Sequence, residues 1–318
     1  MRHLKAAEQQ KPKKFFVCVF HLGRGASTAL CFLTAALLIA LTAVFTLPQR
    51  AVTATAGTNS QESQGVAVPV LMYHSLLKDT SRSGQYVITP TLFASDLAWL
   101  KSHGYETILI HDLLNYVDNG TPLPQKPVLI TFDDGYYNNY LYGFPILQEQ
   151  NMKAVISIIG YYTDKFSEVD ENNAYYSHCT WTQINEMLQS GLIEIQNHTY
   201  NLHTYDKGRH GCAKKAGESL AGYRSMLCED VLKLQNRITE MTGTVPTTFT
   251  YPFGSFSKET KQIVREMGFR ATLSCESGIS TVTRNPESLY MMKRFLRPAG
   301  KNSDQYFASI FSGLYVLK

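Results

Sequence analysis

Two clusters in this chain carry residues suited to hydrolysis. In the first, Val128-Leu129-Ile130-Thr131-Phe132 ends abruptly in Asp133-Asp134-Gly135. An apolar, β-branched run of this kind reads as a buried strand, and the switch to two carboxylates and a glycine puts a polar site at its carboxyl end. Side chains alternate along a strand, so the two aspartates cannot share one environment. One can bind a metal while the other moves a proton. The plain alternative is an Asp-Asp-Gly turn after a core strand. In the second cluster, Leu192-Ile193-Glu194-Ile195-Gln196-Asn197 runs into His198, and His203 follows five residues later. Imidazole nitrogen and carboxylate oxygen together suit zinc and neighbouring divalent metals. Two histidines and one aspartate leave coordination positions open for water and substrate, as a catalytic site requires.

With these residues in place, the sequence resembles a known family. Thr131-Phe132-Asp133-Asp134-Gly135 and His198-Thr199 with His203 are similar to the first two motifs of the polysaccharide deacetylases, carbohydrate esterase family four. Tyr251-Pro252-Phe253-Gly254 is similar to the third, usually Arg-x-Pro-Tyr-Gly. The resemblance covers about residues 67–298. Three features depart from the usual pattern. The histidines are five residues apart where four is common, Thr250 and Tyr251 stand where the arginine is expected, and no histidine follows His210 to make the C-terminal Leu-x-His. The branch acting on poly-β-1,6-N-acetylglucosamine has the wider spacing and a permuted motif order, with an N-terminal Leu-x-Tyr-His supplying the missing histidine. Leu71-Met72-Tyr73-His74 fits that segment.

The resemblance implies a metal-dependent hydrolase removing N-acetyl groups from an N-acetylglucosamine-containing cell-surface or cell-wall polysaccharide. It implies Asp134, His198 and His203 as ligands of a divalent metal, Zn2+ first and Co2+, Ni2+ or Mn2+ as alternatives. It implies Asp133 as general base, the Phe253 backbone N–H as an oxyanion donor and His74 as general acid. With the usual arginine missing, Arg294 in Met292-Lys293-Arg294-Phe295 is the candidate to orient Asp133. Tyr136, Tyr161, Tyr162 and Trp181 are candidates for stacking on sugar rings or for ordinary packing. Two other readings stay open: a metal amidase on a small amide, and a non-catalytic wall-binding protein on the same fold.

Around these motifs, short apolar runs alternate with amphipathic stretches. Strands are expected over 68–73, 128–132, 154–159, 192–196, 248–251 and 271–274. Helices are expected over 91–103, 140–150, 181–190, 220–242 and 257–267. Thr180 with Gln183 makes a capping box, and Gly191 stands at a C-terminal cap position. Such alternation indicates an α/β fold with parallel βαβ units, whose active sites gather at the carboxyl ends of the strands. The family resemblance makes this a distorted (β/α) barrel of about seven strands, the catalytic domain being 67–318.

Ahead of that domain, residues 26–47 carry no charge. A helix of that length reaches about 33 Å, enough to cross the hydrocarbon core. Arg2, Lys5, Lys11, Lys13, Lys14 and Arg24 precede it against a single Glu8, so 1–25 reads as a basic cytoplasmic segment with the remainder outside the cell membrane. Cleavage after Ala54-Thr55-Ala56, giving a secreted protein, is the competing reading. Residues 48–66, rich in Thr, Ala, Ser, Gln and Gly, read as a flexible linker. A net charge of +4, with several positive residues ahead of the apolar segment, offers no nucleic-acid-binding surface. Of the cysteines, Cys212 and Cys228 flank one polar segment and are expected to pair. Lys207, Arg209, Lys214, Lys215 and Arg224 in that region read as a solvated insertion in preference to a basic lip for a polymer.

Overall fold

The computed structural model describes residues 65–205 and 208–312. The basic segment, the apolar segment 26–47, the linker up to residue 64, and Cys18 and Cys31 lie outside them. Among the described residues no helix is long and apolar enough to cross a membrane.

The frame is a curled parallel sheet wrapped by helices. In chain order its elements are β1 (Val70–Tyr73), α1 (Pro90–Ser102), β2 (Glu106–Ile108), α2 (Ile110–Asn119), β3 (Pro127–Phe132), α3 (Phe144–Gln150), β4 (Ala154–Ile158) and α4 (Gly160–Val169). There follow α5 (Trp181–Gln189), β5 (Ile193–Asn197), α6 (Leu220–Thr242), β6 (Thr248–Thr250), α7 (Lys258–Glu266), β7 (Ala271–Leu273), β8 (Phe295–Leu296) and α8 (Ser303–Phe311). The strands run in the order β7-β6-β5-β4-β3-β1-β8, and β2 pairs beside the first half of β3. Every residue of β3 and β4 is buried, as their largely apolar sequences, interrupted only by Thr131 and Ser157, require when both faces of a parallel sheet are covered.

One segment closes the ring. Met292 N–H donates to the Thr272 carbonyl at 2.9 Å, and the Met292 carbonyl accepts from Ser274 N–H at 2.9 Å, tying the chain to β7. A few residues on, β8 pairs with β1, Phe295 opposite Leu71, and Arg297 N–H donates to the Met72 carbonyl at 3.0 Å. Residues 292–297 thus span the gap between β7 and β1, giving seven staves with β2 as a short extra. The curled parallel sheet thus fits the expected (β/α) barrel, with the two-residue β8 as its shortest stave.

The pleat sorts the core. Val128, Ile130, Phe132, Ile156 and Ile158 pack in one cluster with Phe93, Leu97 and Ile184 from the helices. Leu129, Val155, Val70 and Leu273 pack in a second. Residues 129, 131 and 133 therefore point the same way, which aims Asp133 at Arg294 on the closing segment. The Thr180–Gln183 capping box forms, and Gly191 takes φ of 70° just beyond α5. The expected Cys212–Cys228 pair does not form. All four described cysteines are free, and the buried Cys212 thiol donates instead to the Ser255 carbonyl at 3.0 Å.

Candidate active site

After β3 the chain turns sharply. Asp133 N–H donates to the Tyr73 carbonyl at 3.0 Å, then Asp134 and Gly135 take φ of 71° and 69°. At Gly135 a Cβ would lie 2.8 Å from the Ile158 side chain, so the turn needs glycine twice over, for φ and for space. The left-handed step at Asp134 reverses the pleat and separates the two carboxylates. Such strain in a non-glycine residue persists only where its surroundings enforce it. Thr199 (φ 72°) and Phe253 (φ 56°) share it, and both border this site.

Asp133 meets Arg294 in a bidentate pair: Nη1 to Oδ1 at 2.7 Å and Nη2 to Oδ2 at 2.8 Å. Arg294 also donates from Nε to the Ser274 carbonyl at 2.8 Å and from Nη1 to Thr131 Oγ1 at 3.3 Å. Both side chains are buried. Burial alone would raise the Asp133 carboxyl, but the Arg294 guanidinium, His198 and His74 together outweigh burial and hold the group below its ordinary value. Removing one partner of such a pair leaves an uncompensated buried charge. Arg294→Met is therefore expected to cost about 3–5 kcal/mol of stability, measured by denaturant unfolding at neutral pH. A loss under about 1 kcal/mol, the range of an exposed pair, would mean that Asp133 is held by other contacts.

Asp134, His198 and His203 form a second group whose ligand atoms all lie within 4.8 Å of one another. His198 Nε2 is 3.5 Å and His203 Nε2 3.3 Å from Asp134 Oδ1, a buried oxygen with no hydrogen-bond partner. His198 Nδ1 lies 2.8 Å from the Thr250 carbonyl. A carbonyl only accepts, so Nδ1 carries a proton and Nε2 is the nitrogen turned toward Asp134. Burial disfavours the charged ring, but Asp134 and Asp133 outweigh it and raise the pKa of His198, so a cation bound here would have to displace a proton from Nε2. Burial, with His198 second, pushes His203 down to about 4, leaving it neutral near pH 7. Two imidazole nitrogens facing an orphaned carboxylate oxygen are what a divalent cation would hold together, so the donor set fits the metal that the resemblance implies.

The loop between the histidines is held by side chains. Asn197 Oδ1 accepts from Thr199 N–H at 2.9 Å, and Thr199 Oγ1 accepts from Leu202 N–H at 3.2 Å. Asp230 on α6 accepts from the N–H groups of Tyr200 at 2.8 Å and Asn201 at 2.9 Å. This accommodates the five-residue spacing without leaving these backbone donors unsatisfied.

All of these groups border one cavity of about 800 Å³, lined by His74, Asp133, Asp134, His198, His203 and Phe253. His74 follows β1, and its buried Nδ1 has no hydrogen-bond partner. Burial lowers its pKa, with Asp133 and Asp134 pulling the other way. The expected ligands, base, acid and Phe253 turn are thus brought together, with Arg294 behind Asp133 although the two stand 161 positions apart. A polysaccharide deacetylase family model matches residues 120–272. Relatives extend the match across most of the described chain. The poly-beta-1,6-N-acetyl-D-glucosamine N-deacetylase of Escherichia coli (strain K12) is 25% identical over 67% of this chain and 34% of its own length. That of Staphylococcus aureus (strain MSSA476) is 27% identical over 65% of this chain and 66% of its own.

The chain carries a polysaccharide deacetylase domain.

Among solved structures, IcaB from Ammonifex degensii superposes with a TM-score of 0.60 at 28% identity, over 74% of this chain and 94% of that one. The chain spans about a third of the E. coli relative's length. Within the deacetylase domain, the aromatic candidates divide. Tyr136 lines the cavity. Tyr162, half-buried, stacks on His178 at 4.4 Å, and Trp181 is a core residue with Nε1 donating to Asp164 at 2.8 Å, so both are engaged in packing. Tyr161 is exposed and packs on Tyr162. Sequence reasoning missed Tyr86, Tyr175, Tyr205, His210 and Cys275, which also line the cavity. An available signal was the pair of aromatic rings, Tyr205 and His210, in the polar stretch after the histidine motif. In the basic segment, Arg209 pairs with Glu218 and Arg224 with Glu266, which neutralises both charges, while Lys207 lies outside the described residues.

Proposed function

We propose that this chain hydrolyses N-acetyl groups of a poly-β-1,6-linked N-acetylglucosamine polymer, using a divalent metal, Zn2+ first, held by Asp134, His198 and His203. The observation that carries this reading is the side-by-side placement of two differently equipped carboxylates in one cavity: Asp133 paired with Arg294, and Asp134 facing two imidazoles. The names of the relatives support the substrate. The apolar segment 26–47 supports a single-pass anchor with the catalytic domain outside the cell.

A divalent ion at such a site supplies Lewis-acid polarisation of the carbonyl and a lower pKa for bound water. The chain's own residues do the remaining work. Asp133, kept ionised and oriented by Arg294, takes the proton of the attacking water as general base. The backbone N–H of Phe253 faces the acetyl oxygen as charge develops on it. His74 protonates the amine nitrogen as the C–N bond breaks, yielding acetate and a free amino sugar. A lowered pKa makes its conjugate acid the stronger donor to that nitrogen.

The leaving group gives the test. His74→Ala is expected to slow acetamide hydrolysis by about 10²–10⁴-fold and to leave metal content unchanged. On an aryl acetate the loss should be far smaller, because a phenolate leaves without a proton. Equal losses on both substrates would assign His74 to positioning, and no loss on either would remove it from the chemistry.

A further inference from the structure

On the His203 side of the cavity, three rings form a stack that the reaction above uses only at its base. Tyr205 lies on His210 with ring centroids 4.5 Å apart and planes 20° from parallel. It also contacts Phe253 at 4.4 Å, and His210 lies over Phe253 at 5.2 Å. Phe253 packs in turn on His203 at 4.0 Å. Tyr205 is 68% exposed, so its ring meets water directly above a buried catalytic cluster.

The loop presenting these rings is fastened to the site. Gly211 N–H donates to the Thr204 carbonyl at 3.1 Å. Ser255 Oγ donates to the His210 carbonyl at 2.8 Å, tying it to the segment just after Pro252–Gly254. Gly211, with φ of 56°, lies so near that turn that a Cβ there would come within 2.7 Å of the Pro252 carbonyl oxygen. The turn that carries Phe253 therefore also sets the height of Tyr205 and His210.

We infer that the Tyr205–His210–Phe253 stack is a binding platform for the sugar ring next to the one being deacetylated. This rests on the polymer reading above. A β-linked pyranose presents a face of C–H bonds beside its polar hydroxyls, and a tyrosine ring offers an apolar face with a polar tip. Rings already stacked on one another, with His210 tied to Ser255, lose little freedom on binding, so the contact is pre-organised. The platform is continuous with the cavity that holds the reacting groups. It makes polymer length, beyond the acetamide itself, a determinant of recognition.

Binding can be separated from turnover in the metal-loaded full chain carrying Asp133→Asn, titrated with N-acetylglucosamine and with its β-1,6-linked pentamer. Adding Tyr205→Ala is expected to weaken pentamer binding about tenfold and so to compress the pentamer-to-monosaccharide affinity ratio by about the same factor. Tyr205→Phe, which keeps the ring face, should bind the pentamer within about twofold of the background protein. Undiminished pentamer binding by Tyr205→Ala would overturn the platform. So would a Tyr205→Phe loss as large as the alanine's, or an equal loss on the two ligands. If the wild-type chain released no acetate from the pentamer, the functional reading would fall, while these titrations would still decide the platform.

Discussion

His198→Ala is expected to leave a folded protein without its divalent ion and with acetate release at background. The Thr250 carbonyl fixes the tautomer and direction of this imidazole, so no other side chain takes its place by a small movement. Its loss leaves Asp134 and His203 as the only members of the group that faces the cation. A catalytic site of three protein ligands reduced to two is incomplete. His203→Ala should behave alike, though its ring is partly exposed and packs on Phe253, so a disturbance of the oxyanion turn should accompany the metal loss. Metal per protein after purification and dialysis, measured by mass spectrometry, checks both. Normal stoichiometry in either variant would dismiss the ligand assignment.

Asp133→Asn is expected to separate metal from rate. The variant should keep its ion, because Asp133 faces Arg294 and the metal group is built on Asp134. It should lose about 10²–10⁴-fold in kcat, the usual contribution of general-base catalysis. It should also lose stability, because the buried Arg294 guanidinium would face a neutral amide. The folded Asp133 carboxyl titrates below its unfolded value, so the stability it confers is present at neutral pH and lost as pH falls through that lowered range. Release of the metal from Asp133→Asn would require the two aspartates to exchange roles.

What the sequence revealed, and what it hid, follows from where each constraint resides. Strands such as β3 and β4 were legible because burial on both faces demands nearly continuous apolar runs. The helix α5 was legible because its cap lies within its own sequence. By contrast, α2 was missed. Its leading residue is Leu109, and the N–H groups of Ile110 and His111 are satisfied by Glu194 from a distant strand. No local pattern announces a cap supplied that way. The helix α8 carries an Asn302–Gln305 capping box that local reading should have found.

The site divides in the same manner. Asp133, Asp134 and His198 stood out because they follow apolar strands directly, and His203 because it is a second imidazole five residues on. The grip of Arg294 on Asp133 depends on ring closure by residues 292–297, a long-range fact that no spacing encodes. The Cys212–Cys228 expectation failed because sequence proximity across a polar segment says nothing of thiol direction, and the Cys212 thiol points to Ser255. The cavity-lining role of Tyr205 and His210 depends on a loop folding back onto the Pro252–Gly254 turn, which only the coordinates reveal.

The most direct test is acetate release by the purified chain from β-1,6- and β-1,4-linked N-acetylglucosamine pentamers, before and after chelation and after zinc is restored. The expected result is acetate from the β-1,6-linked pentamer in preference to the other, abolished by the chelator and recovered with zinc. No acetate from either pentamer by the zinc-loaded protein, or release that persists undiminished after complete metal removal, would contradict the account.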